Sequence, residues 1–364
     1  MSRDAEIMAE TQRLHRFFKE CGALSIEPDF LQPADILLDL YGEDIRARAY
    51  LISDPLRGEK MLRPDYTVPV VQAHMKGRAN SARYTYAGKV FRKQEKDIGR
   101  PSEYIQVGYE CFGDDDPARS DADVFAALSE AISGLDARVQ TGDMNVLMTA
   151  VSGLHASDDR KAALLRHIWR PQRFRILLER FSGRLPKSES RTALLTAQDT
   201  FQGSGPFIGL RSKDEIKERV EQLRRNDTTP LISETEMDLL TEISQLCDVY
   251  PVVLSKMHDL MTELPSISQA IERIERRLEA LEARGIDTQL LSFEASYGQT
   301  SMEYYDGFVF GFYKASQKGV SLVATGGRYD ALTRHLGNGI ELPAVGGVIR
   351  PDLLVEAKRS AVWQ

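Results

Sequence analysis

Cysteine is scarce in this chain. Three occur in 364 residues, Cys21, Cys111 and Cys247, far apart and without a CxxC pair. That spacing excludes a disulfide framework or a cysteine zinc site as an expectation and suits a reducing cytoplasm. Long apolar runs are also missing: no uninterrupted stretch approaches the ~18 residues of a membrane span. The opening MSRDAEIMAE has no apolar centre of a secretory signal, so neither membrane nor export is expected. The six histidines, His15, His74, His155, His167, His258 and His335, are scattered, which argues against a metal site. HExxH, GxSxG and GxxxxGK[ST] are all absent, and Gly326-Gly327-Arg328-Tyr329-Asp330 lacks the lysine and spacing of a nucleotide loop. Positive charge is in deficit, with a net charge of −7 and a pI near 5.6. A broad nucleic-acid-binding surface is therefore disfavoured. No internal repeat or low-complexity tract is visible.

What the chain does have is length and apolar content, 364 residues at 42% hydrophobic, enough for a substantial core and two or three domains. Its organising stretch is Tyr84 to Gly113. Tyr84 to Arg92 is rich in β-branched and aromatic residues and predicts a strand. Lys93 to Ser102 is charged, with Gly99 and Pro101 as loop signals. Tyr104 to Phe112 predicts a second strand, in which Gln106, Gly108 and Glu110 share one face. Such a face suits the floor of a small polar ligand, with Gly108 leaving room, and Arg92 within reach to pair a carboxylate. The same residues would also suit a hairpin that merely faces solvent.

Around this stretch, Asp4 to Cys21 predicts a helix stopped at Gly22, and Ala23 to Pro28 a short strand. Asp35 to Gly42 is ambiguous between helix and strand, and Ala49 to Pro64 predicts a hairpin turning at Arg57-Gly58. A helix from Thr67 to Met75 places Asp65 and Thr67 at a strand-to-helix junction, facing a ligand or capping the helix. Ala118 to Leu135 is amphipathic and helical, and Val139 to Leu154 reads as strand then helix. From about Ser157 to Leu290 the pattern turns helical, with a capping box at Ser233–Glu236 and an apolar stripe of Ile267, Ile271, Ile274, Leu278 and Leu281. This block reads as a helical insertion. Strands resume at Leu291 to Phe293, Tyr304 to Tyr313, Gly319 to Thr325 and Leu342 to Ile349.

Four ordered segments carry a resemblance. LRPDYT is similar to the LRPEGT of class II histidyl-tRNA synthetases, and GKVFRKQEKDIGRPSEYIQVGYECFG to their motif 2. MEYYDGFVF resembles the histidine-recognition LDYYxxxVF, and GGRYDALTRHLGNGIELPAVG the run into motif 3. The resemblance implies an α+β fold of the class II aminoacyl-tRNA synthetase type, an antiparallel sheet flanked by helices. It also implies a first core part at 1–156, a helical insertion at 157–290, a second core part at 291–364 and no anticodon-binding domain. Matched position by position, it places histidine-binding residues at Asp65, Thr67, Arg92, Gln106, Glu110, Tyr304 and Tyr305. Asp65, Thr67 and Gln106 would hold the α-ammonium, Arg92 the carboxylate, and Glu110 and Tyr305 the imidazole nitrogens. Tyr66 stands where the family has glycine and is expected to narrow the pocket.

The departures point away from catalysis. Motif 3 carries an ATP-contacting arginine where this chain has Leu353, with Arg350 and Pro351 breaking the register. A second arginine of the family falls on Thr300, and FRxE becomes Phe91-Arg92-Lys93-Gln94 with Glu95 one place late. Positioned arginines stabilise charge at the reacting phosphorus, and losing one commonly costs ~100-fold. A synthetase-like pocket without the chemistry resembles the regulatory subunits of ATP phosphoribosyltransferase. That likeness implies a non-catalytic chain needing no cofactor, partnered with the short-form ATP phosphoribosyltransferase catalytic subunit, self-dimerising around Pro28 and taking L-histidine as effector, with no tRNA. The alternatives are a degenerate synthetase-like enzyme that activates an amino acid for another acceptor, and a structural subunit that senses nothing.

Overall fold

The computed structural model describes residues 2–36, 48–77, 79–94, 101–201, 205–206, 212–300, 304–316 and 319–361. Glu95, Gly99, Met302, Glu303, the side chain of Thr300 and most of the ambiguous stretch Asp35 to Gly42 lie outside them.

The chain opens with helix α1 (Arg3–Glu20), which buries Leu14 and Phe18 and ends before Gly22, whose φ of +87° suits glycine. Strand β1 (Leu24–Ser25) follows. A small antiparallel sheet then forms from β2 (Leu31–Pro33), β3 (Leu51–Asp54) and β4 (Gly58–Leu62), in the order β2-β4-β3. Helix α2 (Thr67–Gly77) leads to the long hairpin β5 (Ala82–Phe91) and β6 (Glu103–Phe112), registered from Ala82↔Phe112 to Phe91↔Glu103. Helix α3 (Pro117–Ala131), β7 (Arg138–Asp143) and α4 (Met144–Gly153) come next. Helices α5 (Asp158–Arg166), α6 (Pro171–Phe181), α7 (Glu189–Thr196), α8 (Lys213–Thr228) and α9 (Glu234–Ser244) follow in succession. Then come β8 (Cys247–Val249), α10 (Tyr250–Met261), α11 (Ser268–Glu282), β9 (Ser292–Glu294), β10 (Phe308–Ser316), β11 (Gly319–Arg328), α12 (Asp330–Leu336), β12 (Ala344–Ile349) and α13 (Pro351–Ala361).

Among the described residues the main sheet has nine strands in the order β1-β5-β6-β12-β11-β10-β7-β9-β8. Its central run from β5 to β7 is antiparallel throughout. Side-chain alternation along β6 divides the molecule. Val107, Tyr109 and Cys111 join Leu14, Phe18, Phe125 and Leu128 in the larger core under α1 and α3. Gln106, Gly108 and Glu110 point the other way, as a period of two requires, toward a smaller aromatic cluster that includes Tyr66, Tyr86, Tyr304, Tyr305 and Tyr329. The expected antiparallel sheet flanked by helices is therefore the observed architecture.

One feature of the helical block differs from a purely helical reading. Cys247–Val249 forms a strand that extends the main sheet by pairing with β9. Three residues carry too little period to reveal a strand, and Pro251 and two helical stripes dominate the surrounding pattern. The stripe of α11 is core: Ile271, Ile274, Leu278 and Leu281 are buried in the larger cluster. Its polar side carries a buried charge network. Asp121 of α3 accepts from Arg277 of α11 (3.2 Å) and from Arg328 of β11 (2.9 Å), and Arg277 also pairs with Asp143 (2.7 Å). All four side chains are nearly inaccessible. Removing one partner from such a network leaves the others charged without compensation. Asp121→Ala should therefore destabilise the chain by about 3–5 kcal/mol in urea unfolding; a loss below about 1 kcal/mol would contradict this assignment.

Candidate functional site

The site is assembled where β4 ends and α2 begins. The carboxylate of Asp65 accepts from the Val68 amide at 3.3 Å and so caps α2. Thr67 is thereby free of the capping role and donates its hydroxyl to Glu110 Oε1 at 3.1 Å. Arg92, just beyond β5, is anchored through its Nε to the carbonyl of Pro64 at 2.9 Å. Gln106 lies on the site face of β6 and is 4% exposed. Tyr304 and Tyr305 arrive from the segment before β10, both buried, their rings edge-to-face at 5.0 Å.

Asp65, Thr67, Arg92, Gln106, Tyr304 and Tyr305 all line one cavity of about 1490 Å³. Six candidates spread over 241 positions of sequence are thus brought together. Glu110 is the exception and does not line the cavity. It is 1% exposed and holds three hydroxyls, from Thr67, Tyr86 (2.9 Å) and Tyr329 (2.5 Å). Burial pushes its carboxyl up to about 7, against the pull of the three donated hydrogen bonds, with the nearby charge of Asp65 raising it further.

The space above Gly108 is filled, which corrects the expectation that this glycine leaves room for a ligand. Tyr86 and Gly108 are direct cross-strand partners on the same face, and a Cβ on Gly108 would fall 2.1 Å from the Tyr86 ring. Gly346, opposite Glu110 in β12, is likewise covered by the Glu110 carboxylate, and Gly327 by the Tyr305 ring. Tyr66 is outside the lining, contrary to the expectation that it narrows the pocket. It stacks on Tyr86 at 4.1 Å and bonds Arg63, whose guanidinium sits 3.9 Å over its ring and 4.2 Å from that of Phe30. Its small neighbour Gly88 accepts the phenol at the level of the backbone, so the bulk is absorbed below the cavity.

The cavity wall offers distinct chemistry. Among the described residues, the buried Gln106 Oε1 has no hydrogen-bond partner, an uncommon state for a buried acceptor. With the Asp65 carboxylate and the Thr67 hydroxyl in the same wall, it suits a hydrogen-bond-donating cation. Arg92 supplies a guanidinium for an anion. Elsewhere in the lining, Arg350 lies over the Tyr104 ring at 3.9 Å and is bonded twice to Asp352, at 3.2 and 2.6 Å. Leu353 adds an apolar surface to the wall. The arrangement is equipped to bind a small zwitterion. Sequence reasoning missed Tyr86, Tyr329 and Trp169. Tyr329 stands inside the Gly-Gly-Arg-Tyr-Asp motif, but nothing local marks its partner as Glu110, 219 positions away. Trp169 Nε1 donates to the Tyr305 carbonyl at 2.9 Å, a contact between α5–α6 and the site that no motif signals.

A family model described as histidyl-tRNA synthetase matches residues 2–203 and 209–354. A relative from Agrobacterium fabrum named ATP phosphoribosyltransferase regulatory subunit is 29% identical over 336 residues, which cover 87% of this chain and 88% of that protein. One of the same name from Rhizobium rhizogenes is 26% identical over 360 residues, covering 92% and 93%. Among solved structures, an ATP phosphoribosyltransferase regulatory subunit/histidyl-tRNA synthetase from Bacillus halodurans superposes with a TM-score of 0.69 at 20% identity, over 97% of this chain and 79% of that one. A histidyl-tRNA synthetase from Nostoc sp. PCC 7120 gives 0.63 at 14% identity, over 99% and 73%. At these identities the two structures speak for the fold.

Because Glu110 holds its proton to about pH 7 when folded and only to the ordinary carboxylate range when unfolded, the folded state binds more protons between those limits. Stability should then fall as pH rises from 5 to 8, by at most about 3 kcal/mol from this group. Glu110→Gln removes its share of the slope, whereas Asp306, likewise pushed up to about 7 by burial, keeps a remainder in both proteins. Denaturation midpoints compared at pH 5 and pH 8 check this; equal slopes in the two proteins would contradict it.

Proposed function

The chain belongs to the histidyl-tRNA synthetase family, and from that premise we propose that it is a non-catalytic regulatory subunit of ATP phosphoribosyltransferase that takes L-histidine as its effector. The relatives named as such regulatory subunits match about nine-tenths of this chain and of themselves, which supports the subunit reading. The observation that carries the effector reading is Gln106 Oε1, without a partner among the described residues, in a wall that also holds Asp65 and Thr67. A primary ammonium donates three hydrogen bonds, which oxygens of these three side chains accept. Arg92 then pairs with the effector carboxylate. Tyr305 is the ring-reading residue that faces the cavity, and Glu110 acts from behind it. At most one partner of the imidazole is therefore directly available, and the hydroxyls on Glu110 must yield for the second.

Loss of chemistry follows from Arg350 and Leu353 in the same lining. Adenylate formation needs cations aimed at phosphate oxygens. Here Arg350 is stacked on Tyr104 and neutralised by Asp352, and Leu353 stands where the family arginine would be. The partner is the short-form catalytic chain, the compartment is the cytoplasm, and no tRNA or cofactor is required. The 1–156, 157–290 and 291–364 division is retained as the working description of core, insertion and core. Self-association is assigned to the region around Pro28 and the small sheet, on whose one face Leu31 and Ile52 are both exposed.

Two measurements test this reading. Mixed with the short catalytic chain, the protein should co-purify and raise its ATP phosphoribosyltransferase activity, and histidine should lower that activity; failure to associate would refute the subunit assignment. In calorimetry, Gln106→Ala should weaken histidine binding about tenfold, since an ammonium loses one buried acceptor worth about 1–3 kcal/mol. Unchanged affinity would remove the ammonium from Gln106, and absence of any binding heat in the parent would favour a subunit that senses nothing.

A further inference from the structure

The charge of this chain is unevenly placed. Residues 160–187 hold nine arginines and lysines against one acid, Glu179, although the chain as a whole carries −7. Part of this charge is used internally. Arg160 is buried and donates to the carbonyls of Pro230, Asn226 and Thr229. Arg184 pairs with Glu234 and Asp238, and Lys187 with Asp227. Arg175 pairs with Glu179 at 3.6 Å. At the turn between α5 and α6, partial burial, reinforced by the nearby charges of Arg170, Arg173 and Arg166, holds the His167 imidazole below the ordinary range. Arg166 and Arg173 are exposed. Like charges gathered on one turn repel, which is a standing cost unless something opposes them.

Helix α6 turns Phe174, Leu178 and Phe181 inward. Its outer side presents Arg173, Arg175 and Ile176, the last 43% exposed. Arg173 and Ile176 are one turn apart and therefore neighbours on the surface. An apolar side chain set among arginines is the composition of a protein interface, where arginine is enriched and a dehydrated centre carries the affinity. A nucleic-acid surface has no comparable use for the isoleucine, and the acidic balance of the chain opposes a polyanion. The turn also reaches the cavity, because Trp169, between Arg166 and Arg173, donates to the Tyr305 carbonyl.

We infer that the arginine-bearing outer face of the α5–α6 turn, centred on Ile176, is the surface onto which an acidic patch of the catalytic subunit docks, with Trp169 joining that surface to the cavity. This rests on the regulatory-subunit reading above. Charge complementarity fixes the occupant: a partner face rich in Asp and Glu neutralises the arginines, and a small apolar contact covers Ile176. Movement of Tyr305 on effector binding reaches the docking face through one side chain.

The test uses the full chain and the short catalytic chain. Arg166→Glu combined with Arg173→Glu should weaken their association at least tenfold, and the parent association should weaken with added salt. Arg166→Lys with Arg173→Lys should keep it within threefold, and the uncharged Ile176→Ser should weaken it at constant salt dependence. These side chains are exposed, and unchanged thermal unfolding of each variant excludes misfolding as the cause. If the parent does not bind the catalytic chain, the regulatory-subunit reading falls and the docking surface with it. If the parent binds and the double charge reversal binds equally, the docking surface alone is overturned. Loss of binding to a labelled RNA hairpin, with the protein complex intact, would reassign the face to nucleic acid and also overturn it.

Discussion

The cross-strand register of β5, β6 and β12 decides what this site can be. It sets Tyr86 opposite Gly108 and Glu110 opposite Gly346, so that two large polar side chains sink onto two glycines. A shift of one residue would send both to the larger core on the far face, where neither a carboxylate nor a phenol has partners. With the register as it is, Glu110 gathers hydroxyls from α2, β5 and the turn before α12. One buried carboxyl thereby holds together three elements that bound the cavity. Its desolvation is offset by donors on every side, and its raised proton affinity is the residue of an incomplete balance.

Above that layer the wall mixes polar and apolar side chains. The seven positions suggested by sequence form two shells: six at the surface of the cavity and one beneath it. The cavity wall combines carboxylate, hydroxyl, amide and guanidinium groups, while Arg350 is paired within the wall. Arg350 is the plainest case. A guanidinium stacked on a ring and bonded to a neighbouring carboxylate has little to offer an incoming phosphate. Binding without chemistry is the state expected of a sensor, whose effect arises from differential affinity between two conformations.

The sequence made the local elements legible. The hairpin at Ala82–Phe112, the helices at Arg3–Glu20 and Pro117–Ala131, and the turn at Arg57-Gly58 follow from period, β-branching and glycine placement. The face shared by Gln106 and Glu110 also follows from a period of two. What was hidden depends on contacts between distant segments. Nothing near Gly108 announces that Tyr86 will cover it, because that depends on register. The role of Tyr66 was misjudged because Gly88, its receiving neighbour, lies 22 positions away on β5. The strand at Cys247–Val249 exists only through β9, and Arg277 looks like an ordinary helix-surface cation until Asp121 and Asp143 are placed beside it.

The most direct measurement of the central claim, that the amino-acid site persists while ATP chemistry does not, is ATP–pyrophosphate exchange by the purified chain at saturating histidine. The account predicts no exchange above the histidine-free blank. Histidine-dependent exchange at a rate comparable to that of a functional synthetase would contradict it.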